Sequence, residues 1–194
     1  REDHQEESQE VPVRRRSRLF CGAIAVPVAF LGLGVYRAWI EIMFVGSFVD
    51  FPAVAFSGRD LFDLTMVVTA VACTLLARRI GPFFDKPAVY ALCAATLTAS
   101  TVLMFASCWL PGIAPAVGVP ATLLGGFGIA LLILFWSELY GCLNPLRVAL
   151  YYSASIVVGA LVLYVYRGFM LPWLFVMTSL LPAASLVQIG RAHV

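Results

Sequence analysis

The sequence predicts an all-α fold, a polytopic transmembrane helical bundle of about six spans. Three observations carry this. Of the 194 residues, 61% are hydrophobic and 12% charged, whereas about a quarter of the residues in soluble domains are charged. The mean hydropathy is +0.92. One core of this length cannot hide so much apolar surface, so lipid has to act as part of the solvent. The apolar residues also gather into six continuous Leu/Ala/Val-rich runs, each roughly 17 to 24 residues, against about 20 for one helical crossing. Barrel strands would instead alternate over about 10 residues.

The chain opens on a polar head, residues 1–18. Its first part, Arg1 to Glu10, has the charged, aromatic-free composition of a disordered segment. Its second part carries Arg14, Arg15, Arg16 and Arg18 immediately before the first apolar run. A positive segment before an apolar one imitates a signal peptide. Leu19–Tyr36 exceeds a usual signal core and further spans follow it, so a first transmembrane helix is expected. An Arg at position 1 in place of Met implies a start further upstream.

The remaining spans are expected near Leu61–Ala77, Ala88–Leu110, Ala116–Leu139, Val148–Tyr166 and Phe169–Val187. The second is the weakest, because Asp63 near its start shortens the uncharged part. Between the first two lies the longest loop, Arg37 to Asp60, with Glu41, Asp50, Pro52, Gly58 and Arg59; loops within bundles usually run 2–8 residues. Three spans followed by three suit an inverted repeat, although no residue pattern demonstrates one. The transmembrane domain is therefore 19–188. The tail 189–194, Ile-Gly-Arg-Ala-His-Val, is what a common sequencing adapter encodes (ATC GGA AGA GCA CAC GTC), and it is expected to be non-native.

Basic residues orient the bundle. With the N-terminus in the cytoplasm, the inner flanks hold Arg14, Arg15, Arg16, Arg18, Arg78, Arg79, Lys86 and Arg147, and the outer side only Arg37, Arg59 and Arg167. Every internal loop obeys the positive-inside rule. Trp39, Trp109 and Trp173 are expected at the outer interface and Trp136 at the inner one, as aromatic belts.

Chemistry is sparse. Cys21, Cys73, Cys93, Cys108 and Cys142 form no C-x-x-C pair and read as small hydrophobes. His4 and His193 are the two histidines, so neither a metal site nor a cofactor is expected. No Ser/His/Asp set, H-E-x-x-H, P-loop or dinucleotide fingerprint occurs, and an enzyme is not expected. Charges in or near spans remain, each costing about 2.5–3.5 kcal/mol at the bilayer centre. Glu138 ends the fourth span and Arg147 opens the fifth across a Gly-Cys-Leu-Asn-Pro turn; they read as an interfacial ion pair or as a gating element. Arg37 and Glu41, four apart, share a helix face and are candidates for ligand contact or plain helix-end charges. Asp63 either faces a water-filled cavity or sits at a helix start, where the dipole favours it. Gly32, Gly34, Gly125, Gly126, Gly128, Ser155 and Gly159 offer small surfaces for close helix packing, and Pro27 and Pro182 offer kinks.

Three stretches carry a resemblance: Ala29-Phe-Leu-Gly-Leu-Gly-Val-Tyr-Arg-Ala-Trp39, Leu75-Leu-Ala-Arg-Arg-Ile-Gly-Pro82, and the longer Phe135 to Ser155 (FWSELYGCLNPLRVALYYSAS). Over roughly Leu19 to Val187 the chain resembles the membrane-embedded N-terminal half of bacterial LuxR-type helix-turn-helix regulators. In that family a bundle similar to the major facilitator superfamily precedes a DNA-binding domain. The resemblance implies half of a facilitator-like fold in the bacterial cytoplasmic (inner) membrane. Its partners would be the lipid bilayer and an unknown small-molecule ligand, with DNA reached only through a missing C-terminal domain. The loop Arg78 to Lys86 is basic but departs from the Asp-Arg-x-Gly-Arg pattern of facilitator transporters, which favours sensing. Half of a facilitator-type secondary transporter is the alternative.

Overall fold

The computed structural model describes residues 28–46, 49–80 and 86–193. The polar head, the basic cluster Arg14 to Arg18, the first part of the opening span with Pro27, and residues 81–85 lie outside the described residues. Six α-helices follow in order: α1 (Gly32–Ile40), α2 (Val54–Ile80), α3 (Pro87–Trp109), α4 (Ala114–Gly141), α5 (Pro145–Tyr166) and α6 (Leu171–His193). A 3₁₀ turn, Val28–Leu31, leads into α1, and a π-helical turn, Glu41–Val45, continues it. No strand occurs among the described residues. The fold is an all-α helical bundle, as the sequence predicts.

Five of the helices, α2 to α6, are long and apolar enough to cross a membrane. Local chemistry starts them where the apolar runs begin. Proline occupies the first turn of α3, α4 and α5, where its missing N–H costs nothing and its fixed φ is already helical. The Asn144 side chain caps α5 by accepting from the Leu146 N–H at 3.1 Å, which satisfies one of the free donors of the first turn. Pro182 lies within α6, and the helix continues through it.

One expected loop is mostly helix. Instead of a connection from Arg37 to Asp60, helical winding runs to Val45 and resumes at Val54. The polar residues that suggest a loop, Arg59 and Asp60, sit on the exposed side of α2, while Phe51, Ala53 and Phe62 are buried. The short connection is tied down by the Val54 N–H donating to the Phe51 carbonyl at 3.0 Å. The Ala53 N–H also donates to Ser107 Oγ, at 3.4 Å. Asp63 is consequently not at a helix start: it lies in the third turn of α2, paired with Arg59 at 3.6 Å.

The helices sort into two groups. α1 packs on α5 and α6; α4 packs on α2 and α3; α3 against α6 joins the groups. Exchanging α1 with α4, α2 with α5 and α3 with α6 maps the pairings of α1 onto those of α4 and the α3–α6 pairing onto itself. Two successive sets of three helices related by such an exchange match the layout of an inverted repeat. The sequence carries no matching residue pattern, because the symmetry lies in which helices touch.

α4 is the central helix: 56% of its apolar stretch is buried inside the bundle, against 11% for α2. Trp39, Trp136, Phe105, Phe135, Ile42, Met43, Leu97 and Met104 fill the core. Outside, Leu64, Val67, Val68, Val71 and Leu75 of α2 and Val157, Leu161, Tyr164 and Val165 of α5 are exposed. Apolar surface on this scale is what lipid covers and water does not. Hydroxyls on α2, α5 and α6 return to their own backbone, as Thr65 does to the Leu61 carbonyl (2.7 Å), Ser153 to Ala149 (2.8 Å) and Ser179 to Phe175 (2.8 Å). Such bonds leave few polar atoms facing hydrocarbon.

Two of the expected belt tryptophans are core residues. Trp39 and Trp136 are fully buried, whereas Trp109 and Trp173 are exposed at the C-terminal end of α3 and near the N-terminal end of α6. An indole buried among helices needs a partner for its N–H. Trp39 Nε1 donates to Thr101 Oγ1 at 2.9 Å, and Trp136 Nε1 to Ser185 Oγ at 3.1 Å.

Candidate functional site

Two regions of the bundle gather polar groups. The first is a seam where α1 meets α4, α5 and α6. The small residues of α1 make it possible: a Cβ added to Gly34 would overlap the Ser155 carbonyl oxygen, and one added to Gly159 would lie 2.9 Å from the Gly34 carbonyl. α1 and α5 therefore touch backbone to backbone. This contact brings carbonyls at the start of α1 and in the 3₁₀ turn before it within reach of side chains on other helices. Tyr140 OH donates to the Phe30 carbonyl at 3.1 Å, and Ser155 Oγ, which donates to the Tyr151 carbonyl at 2.7 Å, lies 3.2 Å from the same Phe30 oxygen. Ser185 Oγ donates to the Gly32 carbonyl at 3.0 Å while accepting from Trp136. Gln188 Oε1, beside Gly32 and the Trp136 ring, is buried with no hydrogen-bond partner among the described residues.

Gly125, Gly126 and Gly128 serve the same purpose on α4, admitting Phe44 and Ser100, Phe62 and Thr65, and Thr96 and Leu97. Ser100 Oγ donates to the Ala121 carbonyl at 2.7 Å, and Cys93 Sγ to the Gly128 carbonyl at 3.4 Å. The glycine and serine positions marked in the sequence are thus the close-packing positions of the bundle.

The second region is a cavity of about 510 Å³ at the end of the bundle where α1 stops and α5 turns into α6. It is lined by Glu41, Gly46, Leu163, Tyr166, Arg167, Phe169 and Leu174. Glu41 opens the π-helical turn, and its carbonyl accepts from the Gly46 N–H at 2.7 Å. Isolated π turns are rare and mark functional sites more often than chance. Arg167 caps the C-terminus of α5, a position the helix dipole favours for a cation. A neighbouring cavity of about 450 Å³, lined by residues between Met43 and Ala55, holds Asp50.

The structure distributes the five candidate residues. Glu41 lines the large cavity. Arg37, although four residues away, lines a separate cleft of about 30 Å³ with Tyr36, Tyr152 and Ser155. Glu138 is half-buried near the end of α4, and Arg147 is exposed in the first turn of α5. Asp63 is paired with Arg59 on a surface away from both cavities. Arg167 and Tyr166 complete the large cavity and were not singled out as site residues. The signal in the sequence is the expected topology, in which Arg167 is one of three basic residues assigned to the outer side. Among the described residues no group of three or more His, Cys, Asp or Glu is placed to hold a metal.

Comparison with family models, with curated proteins and with solved structures finds no match.

Proposed function

We propose that this chain is the membrane-embedded sensory domain of a LuxR-family helix-turn-helix regulator, seated in a bacterial cytoplasmic membrane with its N-terminus inside. The single observation that carries the reading is the meeting of two resemblance-bearing stretches. Ala29 to Trp39 and Phe135 to Ser155 meet where Tyr140 OH donates to the Phe30 carbonyl, 110 positions away, with Ser155 Oγ 3.2 Å from the same oxygen across 125 positions. Residues of two of the three stretches thus take part in holding α1 and the turn before it to α4 and α5. A ligand acts on such a bundle by binding one packing of α1 against α5 and α6 more tightly than another. A DNA-binding domain beyond this chain would receive the difference.

The exchange symmetry of the helix contacts favours a second reading, half of a facilitator-type secondary transporter. Such proteins place their substrate site between repeats near the membrane midplane. The two readings part on the complete gene and on flux. A further six spans followed by a basic helix-turn-helix, with ligand-dependent output from a promoter reporter, supports the regulator. Twelve spans and a stop, with substrate accumulating in vesicles of the full-length protein, replaces it with the transporter.

A further inference from the structure

The cavity between α1, α5 and α6 combines features that ordinary packing does not require. Glu41 and Arg167 carry opposite charges and line the same space, yet no ion pair joins them. Both belong to the described residues, and Glu41 sits on the π-helical turn. Leu163, Tyr166, Phe169 and Leu174 supply apolar and aromatic wall to the same cavity. Tyr166 is fixed by donating its hydroxyl to the Met177 carbonyl at 3.4 Å and by an edge-on contact with Phe169 at 5.6 Å. At about 510 Å³ the space falls within the usual range of ligand pockets, about 300–1,000 Å³.

We propose that this cavity binds a zwitterion: an ammonium group at Glu41, a carboxylate or phosphate at Arg167, and an apolar body against the four walls. Two opposite charges that line one cavity without pairing are complementary to a molecule carrying the reverse pair. A purely cationic or purely anionic ligand satisfies one side and leaves the other charge unmatched. A free amino acid and a phosphatidylethanolamine headgroup share this chemistry, and the position at a bundle end admits either. The proposal deepens the sensory reading and rests on it for the purpose of the site, while binding is measured without transcription.

The test is calorimetric titration of the full chain in phosphatidylglycerol nanodiscs with L-phenylalanine, 3-phenylpropionate and 2-phenylethylamine. In parallel, native mass spectrometry reads retention of phosphatidylethanolamine from mixed bilayers. Saturable binding of phenylalanine, at least tenfold tighter than either single-charge analogue and weakened at least tenfold by Glu41→Gln and by Arg167→Gln, establishes the site with a soluble ligand. Selective retention of phosphatidylethanolamine, lost in the same variants, establishes it with a lipid. Asp60→Asn, an exposed carboxylate on the same side, leaves either signal unchanged. The charge-exchanged double variant Glu41→Arg, Arg167→Glu recovers binding and guards against loss through misfolding. Binding of neither zwitterion, or binding unaffected by both single variants, overturns the proposal. Binding without any change in reporter output leaves the site standing and contradicts the sensory reading.

Discussion

Gly34 of α1 rests on the backbone of Ser155 in α5, so close that a methyl group at Gly34 would occupy the place of the Ser155 carbonyl oxygen. Backbone cannot step aside as a flexible side chain can, and the two helices would have to part. Gly34→Ala is expected to destabilise the bundle by about 1–3 kcal/mol, the range for overpacking. Gly112, where an added Cβ meets nothing within 4 Å, provides the comparison: Gly112→Ala should stay within about 0.5 kcal/mol. Reversible unfolding in mixed micelles measures both.

The bond from Trp39 Nε1 to Thr101 Oγ1 crosses from α1 to α3 in the core. Interhelical hydrogen bonds in membranes are weaker than their burial suggests, averaging about 0.6 kcal/mol, because the separated helices also find partners. A double-mutant cycle with Trp39→Phe and Thr101→Val should return a coupling of about 0.6 kcal/mol. The single Trp39→Phe change should cost more than that, since it also empties part of a filled core.

Gln188 is the converse case. Its Oε1 is buried beside the Trp136 ring without a hydrogen-bond partner, and such a group costs about 1–3 kcal/mol. Gln188→Met keeps the shape and removes the orphaned acceptor. It should raise stability by roughly 1 kcal/mol, seen as a higher unfolding midpoint.

The Arg59–Asp63 pair is open to the surroundings, with side chains 60% and 50% exposed. Exposed pairs of this spacing contribute about 0.3–0.5 kcal/mol, so the double change Arg59→Gln, Asp63→Asn should leave stability within about 0.5 kcal/mol. The same variant should leave any ligand-dependent signal intact, because neither residue reaches the cavities. Loss of such a signal would return Asp63 to the site.

The helices from α2 to α6 were legible because hydrocarbon imposes a length, and the runs in the sequence meet it. The close contacts were legible at Gly34, Ser155 and Gly159, because only small residues let helix backbones meet. Trp39 and Trp136 were misread as belts: composition locates a tryptophan along the membrane normal, and only packing decides whether it faces lipid or a neighbouring helix. The stretch around Arg59 and Asp60 looked like a loop because charge was weighed without helix face. Glu41 was visible as a charge at a span end. Its counterpart Arg167 stands 126 positions later, and the pairing of α1 with α5 that joins their surroundings is a tertiary fact.

Everything rests on these helices threading lipid in alternation. Single cysteines at Lys86, Gly112, Asn144 and Gly168, in a background with the native cysteines replaced by alanine, read this directly with a membrane-impermeant maleimide on intact cells. Labelling of positions 112 and 168 from outside, with 86 and 144 reacting only after permeabilisation, is the predicted result. Two successive positions reacting from the same side, or a chain that is monodisperse in buffer without detergent, would contradict the account.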